Sequence, residues 1–188
     1  MGIESGTVEG VGWREPPPPR LERKLVREAQ RGSREALADL YLAHWRRAHR
    51  AAYLVVHDSA AAEDIAQDAF LAAVDALDRF DRRRPFAPWL HRIVVNRAID
   101  WARREALRRK VDDPEAQAAA DPSEALGDEL MEALAELPPD QRAVVVLRHL
   151  LEYTPGEIAR MLELPRGTVN SRLRRALDQL RTRVEVEG

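Results

Sequence analysis

Between Val111 and Asp140 the chain carries ten carboxylates and not one lysine or arginine. As far as Gly127 this stretch is rich in Ala, Asp and Pro and has no apolar period. Such a segment has little to bury and marks a linker. A chain of 188 residues divided there yields two small helical pieces, each with its own apolar stripe to cover. The flanks reverse the sign of charge. Asp81 to Lys110 holds ten Arg/Lys against three acids, and Arg166 to Arg183 holds six Arg against Asp178 alone. The formal net charge of −2 therefore averages two basic surfaces and an acidic connector. Concentrated positive charge of this kind is what phosphate binding requires.

Elsewhere apolar residues recur at three- and four-residue spacing, and nothing alternates with the period of a strand. Residues 1–20, with four glycines and the run Pro16 to Pro19, are expected to form a disordered or extended tail. Leu21, Leu25 and Ala29 share a stripe that Gly32 stops and Ser33 restarts. A second helix groups Leu37, Leu40, Tyr41, Trp45, Ala48, Ala52 and Val55, and Asp58-Ser59 ends it. A third, about Ala60 to Leu77, is expected to turn Ile65, Ala69, Phe70, Ala73, Val74 and Leu77 inward. Its outer face, Asp64, Asp68, Leu71, Asp75 and Asp78, is acidic with one exposed leucine. A loop from Arg79 to Pro88 leads to a fourth helix, about Trp89 to Arg108.

Beyond the linker a short helix carries Leu130, Leu134 and Leu137, and Pro138-Pro139 stops it. Helices follow over about Gln141 to Leu151, Pro155 to Leu162, and Arg166 or Gly167 to about Val184. The expected fold is all-α: two small helical domains joined by a flexible acidic linker, the second a helix-turn-helix, and a linker of this kind permits both a compact and an open arrangement. The expected boundaries are tail 1–20, first domain 21–110, linker 111–127 and second domain 128–188.

The last two helices carry the sharper functional signal. Thr154 is placed to cap the first, and Val169, Leu173, Leu177 and Leu180 give the second a buried stripe. Its opening, with Arg166, Thr168, Asn170, Ser171, Arg172, Arg174 and Arg175, offers hydrogen-bonding groups and arginines where a recognition helix enters the major groove. The loop and fourth helix interleave arginines, Arg82, Arg83, Arg84, Arg92, Arg97, Arg103 and Arg104, with Phe80, Phe86, Trp89 and Trp101. Aromatics beside arginines suit unstacked bases, although Phe80 and Trp101 are the kind of large side chain a small core also needs. Cysteine is absent, and the five histidines, His44, His49, His57, His91 and His149, show no ligand spacing and are expected at the surface or at helix ends. No phosphate loop or nucleophile motif accompanies them, so no enzyme activity, cofactor or metal is expected. With no run apolar enough for a signal core or a membrane span, the chain is expected to be soluble, cytoplasmic and not inserted in a membrane.

Four phrases occur in one order: Ala62-Glu63-Asp64-Ile65-Ala66-Gln67-Asp68-Ala69-Phe70-Leu71; the run from Pro85-Phe86-Ala87-Pro88-Trp89-Leu90 through Asn96-Arg97 to Asp100; Leu137-Pro138-Pro139-Asp140-Gln141-Arg142; and Gly167-Thr168-Val169-Asn170-Ser171-Arg172-Leu173. Together they resemble the successive signatures of extracytoplasmic-function (ECF) sigma factors, group 4 of the sigma-70 family, from about Leu21 to Arg183. The resemblance implies a first domain of the region 2 type that places Asp64, Gln67, Asp68 and Leu71 against the clamp helices of the RNA polymerase largest subunit. It implies that Phe80, Arg84, Phe86, Trp89, Arg92, Asn96 and Arg97 capture a flipped base of the −10 element and hold the melted non-template strand. The second domain, of the region 4 type, is implied to read the duplex −35 element through its helix-turn-helix while neighbouring helices meet the polymerase flap. The linker would thread the polymerase channels, and an anti-sigma factor is a further partner that many relatives have. Asp68 stands where Glu is more usual. Asn170 and Arg174 also depart from the pattern, so no −35 sequence carries over.

A free-standing helix-turn-helix regulator accounts for Thr154 to Arg183 but leaves the acidic face and the Arg-aromatic loop unexplained. A helical adaptor that binds only proteins leaves both basic surfaces unexplained.

Overall fold

The structure, a computed structural model, describes residues 16–112 and 128–186. Four helices form the first domain: α1 (Pro19–Ala29), α2 (Arg34–Val56), α3 (Ser59–Ala76) and α4 (Phe86–Asp112). A single 3-10 turn, Leu77–Arg79, extends α3. The second domain comprises α5 (Asp128–Glu136), α6 (Pro139–Val145), a π turn (Val146–Leu150), α7 (Pro155–Met161) and α8 (Arg166–Val186). No strand occurs among the described residues.

Local chemistry sets the helix starts. Ser33 accepts a hydrogen bond from the Ala36 N–H at 3.2 Å, and Asp58 accepts one from the Ala61 N–H at 2.8 Å. Each satisfies a donor that the first turn leaves without a partner. α2 ends at His57, held left-handed at φ 54°. α2 is the central pillar, against which α1, α3 and α4 pack; α8 organises the second domain through α5, α6 and α7.

Several expectations change. Pro19 and Arg20, assigned to the tail, open α1, where proline is tolerated because its missing N–H would have no partner anyway; residues 1–15 and 113–127 lie outside the described residues. Leu21 is exposed, and the buried stripe of α1 is Glu22, Leu25 and Val26. Val74 is 41% exposed, because no described element crosses the groove between α2 and α3 there. α4 starts at Phe86, ahead of Pro88, which sits in the first turn where no intrahelical N–H is needed. The helix expected to run to Leu151 is α only to Val145 and then widens into the π turn.

The linker permits both a compact and an open arrangement of the domains, and the structure is compact. The domains pack against each other, with α6 on α2 and α4, and α7 on α4. One cluster of buried apolar side chains runs through both, from Leu40, Val55 and Val94 to Val144, Leu147 and Ile158. Arg142, itself buried, donates to the carbonyls of Ala135 and Leu137 in its own domain and, at 2.5 Å, to that of Val55 at the end of α2. A guanidinium at a helix C-terminus meets carbonyls that have no intrahelical donor and the negative end of the dipole. Charge separation along the sequence does not keep the domains apart, because their packing faces are apolar.

Candidate nucleic-acid interface

The arginine loop is shaped from both ends. Gln30 donates to the carbonyls of Leu77 and Phe80, each at 2.9 Å. Asp81 then turns the chain: its carboxylate accepts from the Arg83 N–H at 3.0 Å and its carbonyl from the Arg84 N–H at 2.9 Å. Side-chain-to-backbone bonds two residues on are the signature of an Asx turn. This one leaves Arg82, Arg83 and Arg84 exposed. At the far end the Phe86 N–H donates to the buried Glu22 carboxylate at 3.2 Å, so an anion sits at the positive start of α4. The other oxygen of Glu22 lies 3.1 Å from His44 Nε2, a close approach whose angle is not that of a hydrogen bond.

Under the loop lies an aromatic cluster. Phe80 and Trp89 have ring centroids 4.5 Å apart, Phe86 and Trp89 5.6 Å, and Phe80 meets Phe86 edge-on at 6.0 Å. Phe80 and Phe86 are buried, so they carry the loop and Trp89 instead of offering free faces; Trp89 is half-buried. Trp101 is also half-buried and lines a polar cleft between α3 and α4. The same cleft holds Asp64, Asp68, Arg97, Arg103 and Arg104. The structure thus brings together residues that the sequence reading assigned to two separate surfaces.

Arg92, Asn96 and Arg97 are each half-buried along α4. Gln67, Asp68 and Asp64 are exposed on α3, and Leu71 is 64% exposed. Leu71 is not alone there. With Val74, Leu37, Tyr41 and Leu42 it borders an apolar groove between α2 and α3. The face is acidic on one side and oily on the other, which the sequence reading caught only in part.

In the second domain Thr154 and Glu157 form a reciprocal capping box: Glu157 N–H donates to Thr154 Oγ1 at 3.3 Å, and Thr154 N–H to the Glu157 carboxylate at 2.8 Å. This fixes the start of the seven-residue α7. The turn to α8 passes through Glu163 at φ 54°. Val169, Leu173 and Leu180 are buried, while Arg166, Asn170, Arg174 and Arg175 are exposed on the opposite face of α8. Thr168, Ser171 and Arg172 lie at the margin, Ser171 Oγ donating to the Thr168 carbonyl at 3.0 Å and Arg172 approaching Asp140 at 3.7 Å. A groove-reading helix needs this split between a packed back and a polar front.

Of the histidines expected at the surface or at helix ends, His57 caps α2 and His149 is exposed, whereas His44 and His91 are buried within helices. His57 is buried as well, and His49 is half-buried. Burial beside Arg142 pushes the His57 imidazole down to about 4, and burial near His44 and Arg47 pushes His91 down to about 3. Each is held neutral. His91 Nδ1 lies 2.7 Å from the Tyr153 hydroxyl, whose own titration burial pushes upward. Sequence reasoning passed over Glu22, Tyr153 and the domain-spanning role of Arg142. For Glu22 the signal was present: it shares helical spacing with Leu25, Val26 and Ala29. Among the described residues no cluster could hold a metal ion, and no helix is long and apolar enough to cross a membrane.

An arginine loop over aromatics on one helical module, followed by a helix-turn-helix on a second, is the layout of a sigma-70-class protein. Family models agree: residues 40–108 match Sigma-70 region 2 and residues 127–180 match Sigma-70, region 4. The chain is similar to the ECF RNA polymerase sigma factor SigW of Bacillus subtilis, 31% identical over 176 residues that cover 85% of this chain and 94% of that one. The solved structure of CnrH in complex with the cytosolic domain of CnrY matches with a TM-score of 0.66 and 28% identity, covering 89% of this chain and 99% of that one. The sigma factor RpoE of Bartonella quintana, solved with the anti-sigma factor NepR, shares the fold at a TM-score of 0.66 and 23% identity, covering 79% and 96%. The chain belongs to the extracytoplasmic-function sigma factors. As such it binds core RNA polymerase and promoter DNA and directs transcription initiation.

Proposed function

We propose the following division of that activity among the residues. The first domain, 19–112, docks on core polymerase through Asp64, Gln67, Asp68 and Leu71, with the apolar groove beside Leu71 completing the contact. Its arginine loop and α4 take the −10 element. Arg84, Arg92 and Arg97 address phosphates, and Asn96 and Trp89 address an unstacked base, with Phe80 and Phe86 supporting Trp89 from behind. The second domain, 128–188, reads the −35 duplex through Arg166, Thr168, Asn170, Ser171, Arg172, Arg174 and Arg175. Residues 113–127 link the two. The chain performs no catalysis itself and works in the cytoplasm, where the polymerase is. An anti-sigma factor that covers the α3 face and the DNA faces is a fitting antagonist, as NepR partners the Bartonella protein.

The observation that carries this reading is the pairing, in one chain, of an exposed arginine turn over an aromatic cluster with a capped helix-turn-helix whose polar front is open. The test is run-off transcription with core polymerase on a pooled promoter library, comparing the wild type with a variant combining Asp64→Ala, Asp68→Ala and Leu71→Ala. The wild type is expected to give transcripts that share a two-block upstream motif. The variant is expected to fold and give none. Full activity of the triple variant would refute the proposed polymerase contact.

A further inference from the structure

A third basic surface lies outside the two basic stretches of the sequence. From Arg20 to Arg34 the chain carries six Arg/Lys and two acids. Neither acid offsets the outward face: Glu22 is buried against the start of α4, and Glu28 is taken by Lys24 at 3.7 Å. Arg20, Arg23 and Arg27 on α1, and Arg31 in the turn that follows it, recur at three- and four-residue spacing, and all four are exposed. Their row stands opposite the buried stripe of Glu22, Leu25 and Val26. No carboxylate among the described residues pairs with any of the four. In a chain with 32 acids and 30 bases, a face that needed only to be wet would carry both signs.

Three hydrogen bonds tie this helix to the arginine turn. Gln30, which continues the row of Arg23 and Arg27 by one more step, donates to the carbonyls of Leu77 and Phe80 at 2.9 Å each. Glu22, near the other end of α1, accepts from the Phe86 N–H at 3.2 Å. The loop with exposed Arg82, Arg83 and Arg84 is thereby held against α1 at both of its ends, so the two sets of guanidiniums adjoin. Asp78 and Asp81 also lie in this loop, but Asp81 is engaged by the Arg83 N–H, and Arg79 with Arg82, Arg83 and Arg84 outnumbers the pair.

We propose that α1 extends the strand path: the phosphates of the single strand taken by the arginine turn continue along Arg20, Arg23, Arg27 and Arg31. This path rests on the assignment of that turn to the −10 element. Over about 16 Å of helix the row presents a guanidinium at each turn and no aromatic face, so it holds a backbone and reads no base. A contact of that kind prolongs the melted complex without changing which sequences are melted.

The test uses holoenzyme, the full chain assembled with core polymerase, and two dye-labelled forked promoters taken from those that the pooled library returns. In one the non-template strand ends at the −10 block; in the other it runs about 15 nucleotides further as a single strand. The triple variant Arg20→Gln, Arg23→Gln, Arg27→Gln keeps good helix formers at exposed positions. It is expected to bind the short fork like the wild type and the long fork about tenfold more weakly. Its salt slope on the long fork should be shallower by about 2, at about 0.7 for each lost single-strand phosphate contact. Arg27→Gln alone should lower that slope by about 0.7. Wild-type affinity of the triple variant for the long fork would overturn the proposal. So would equal weakening on both forks, which is an effect of net charge, and so would loss of holoenzyme formation, which gives the row to the polymerase. Arg84→Gln separates the two readings, since it is expected to weaken both forks. If it leaves both unchanged, the arginine turn is not on the strand and the path along α1 falls with it.

Discussion

Glu22 illustrates how much one side chain can hold. Its carboxylate is buried, receives the first N–H of α4 and lies against His44 under the Phe86 ring, whose centroid is 5.3 Å from the imidazole. Glu22→Ala leaves a buried donor without its acceptor, a loss of about 2–3 kcal/mol. It should appear as a lower urea midpoint and as faster proteolysis of the loop that follows Phe80; an unchanged midpoint would show that Glu22 does not anchor the loop. The buried imidazoles set a pH dependence. His57 and His91 titrate near 4 and 3 in the folded chain, against 6.5 for the free side chain, so below 6.5 the unfolded chain binds more protons. Their contribution is complete above pH 6.5 and is lost as the pH falls toward 4. The urea midpoint should drop between pH 7.5 and pH 5, and His57→Asn, which tolerates the left-handed cap, should flatten the trend. A midpoint that does not move over that range would show that the imidazoles are not held neutral.

At the scale of elements, helix starts were legible because they depend on neighbours in sequence. Ser33 and Thr154 each announce a cap, and each cap is formed, while Asp58, read only as the end of α2, also caps α3. α7 depends on its cap more than the others, being only seven residues long and unable to nucleate alone. Thr154→Ala should cost about 1 kcal/mol and weaken binding to −35 duplex several-fold while leaving polymerase assembly intact; unaltered duplex affinity would mean that α8 is positioned without α7. What was not legible depends on contacts far along the chain. Nothing within the neighbourhood of Val74 in sequence says that its side of α3 is left uncovered, and nothing near Phe80 says that Phe86 and Trp89 will close over it. The α5 and α6 helices were readable from Leu130, Leu134, Leu137 and the paired prolines, but the π turn was not, since Val146 to Leu150 keeps a helical apolar pattern while its hydrogen bonding shifts by one residue.

For the whole molecule, the charge map correctly marked two modules and a connector yet said nothing of how they sit, because Arg142, Val55 and the apolar faces of α2 and α6 are silent in a count of charges. The functional assignment survived that gap, since each basic surface is built within one module. The apolar core that runs unbroken through both modules has a calorimetric consequence. Parting them wets hydrocarbon, which raises the heat capacity, whereas docking on polymerase or DNA covers hydrocarbon and lowers it. Where docking parts the modules the two changes oppose each other, so assembly registers a smaller heat-capacity drop than the area of its contacts implies and the shortfall measures the surface that the chain's own domains had kept dry; a full drop shows that the modules stay together.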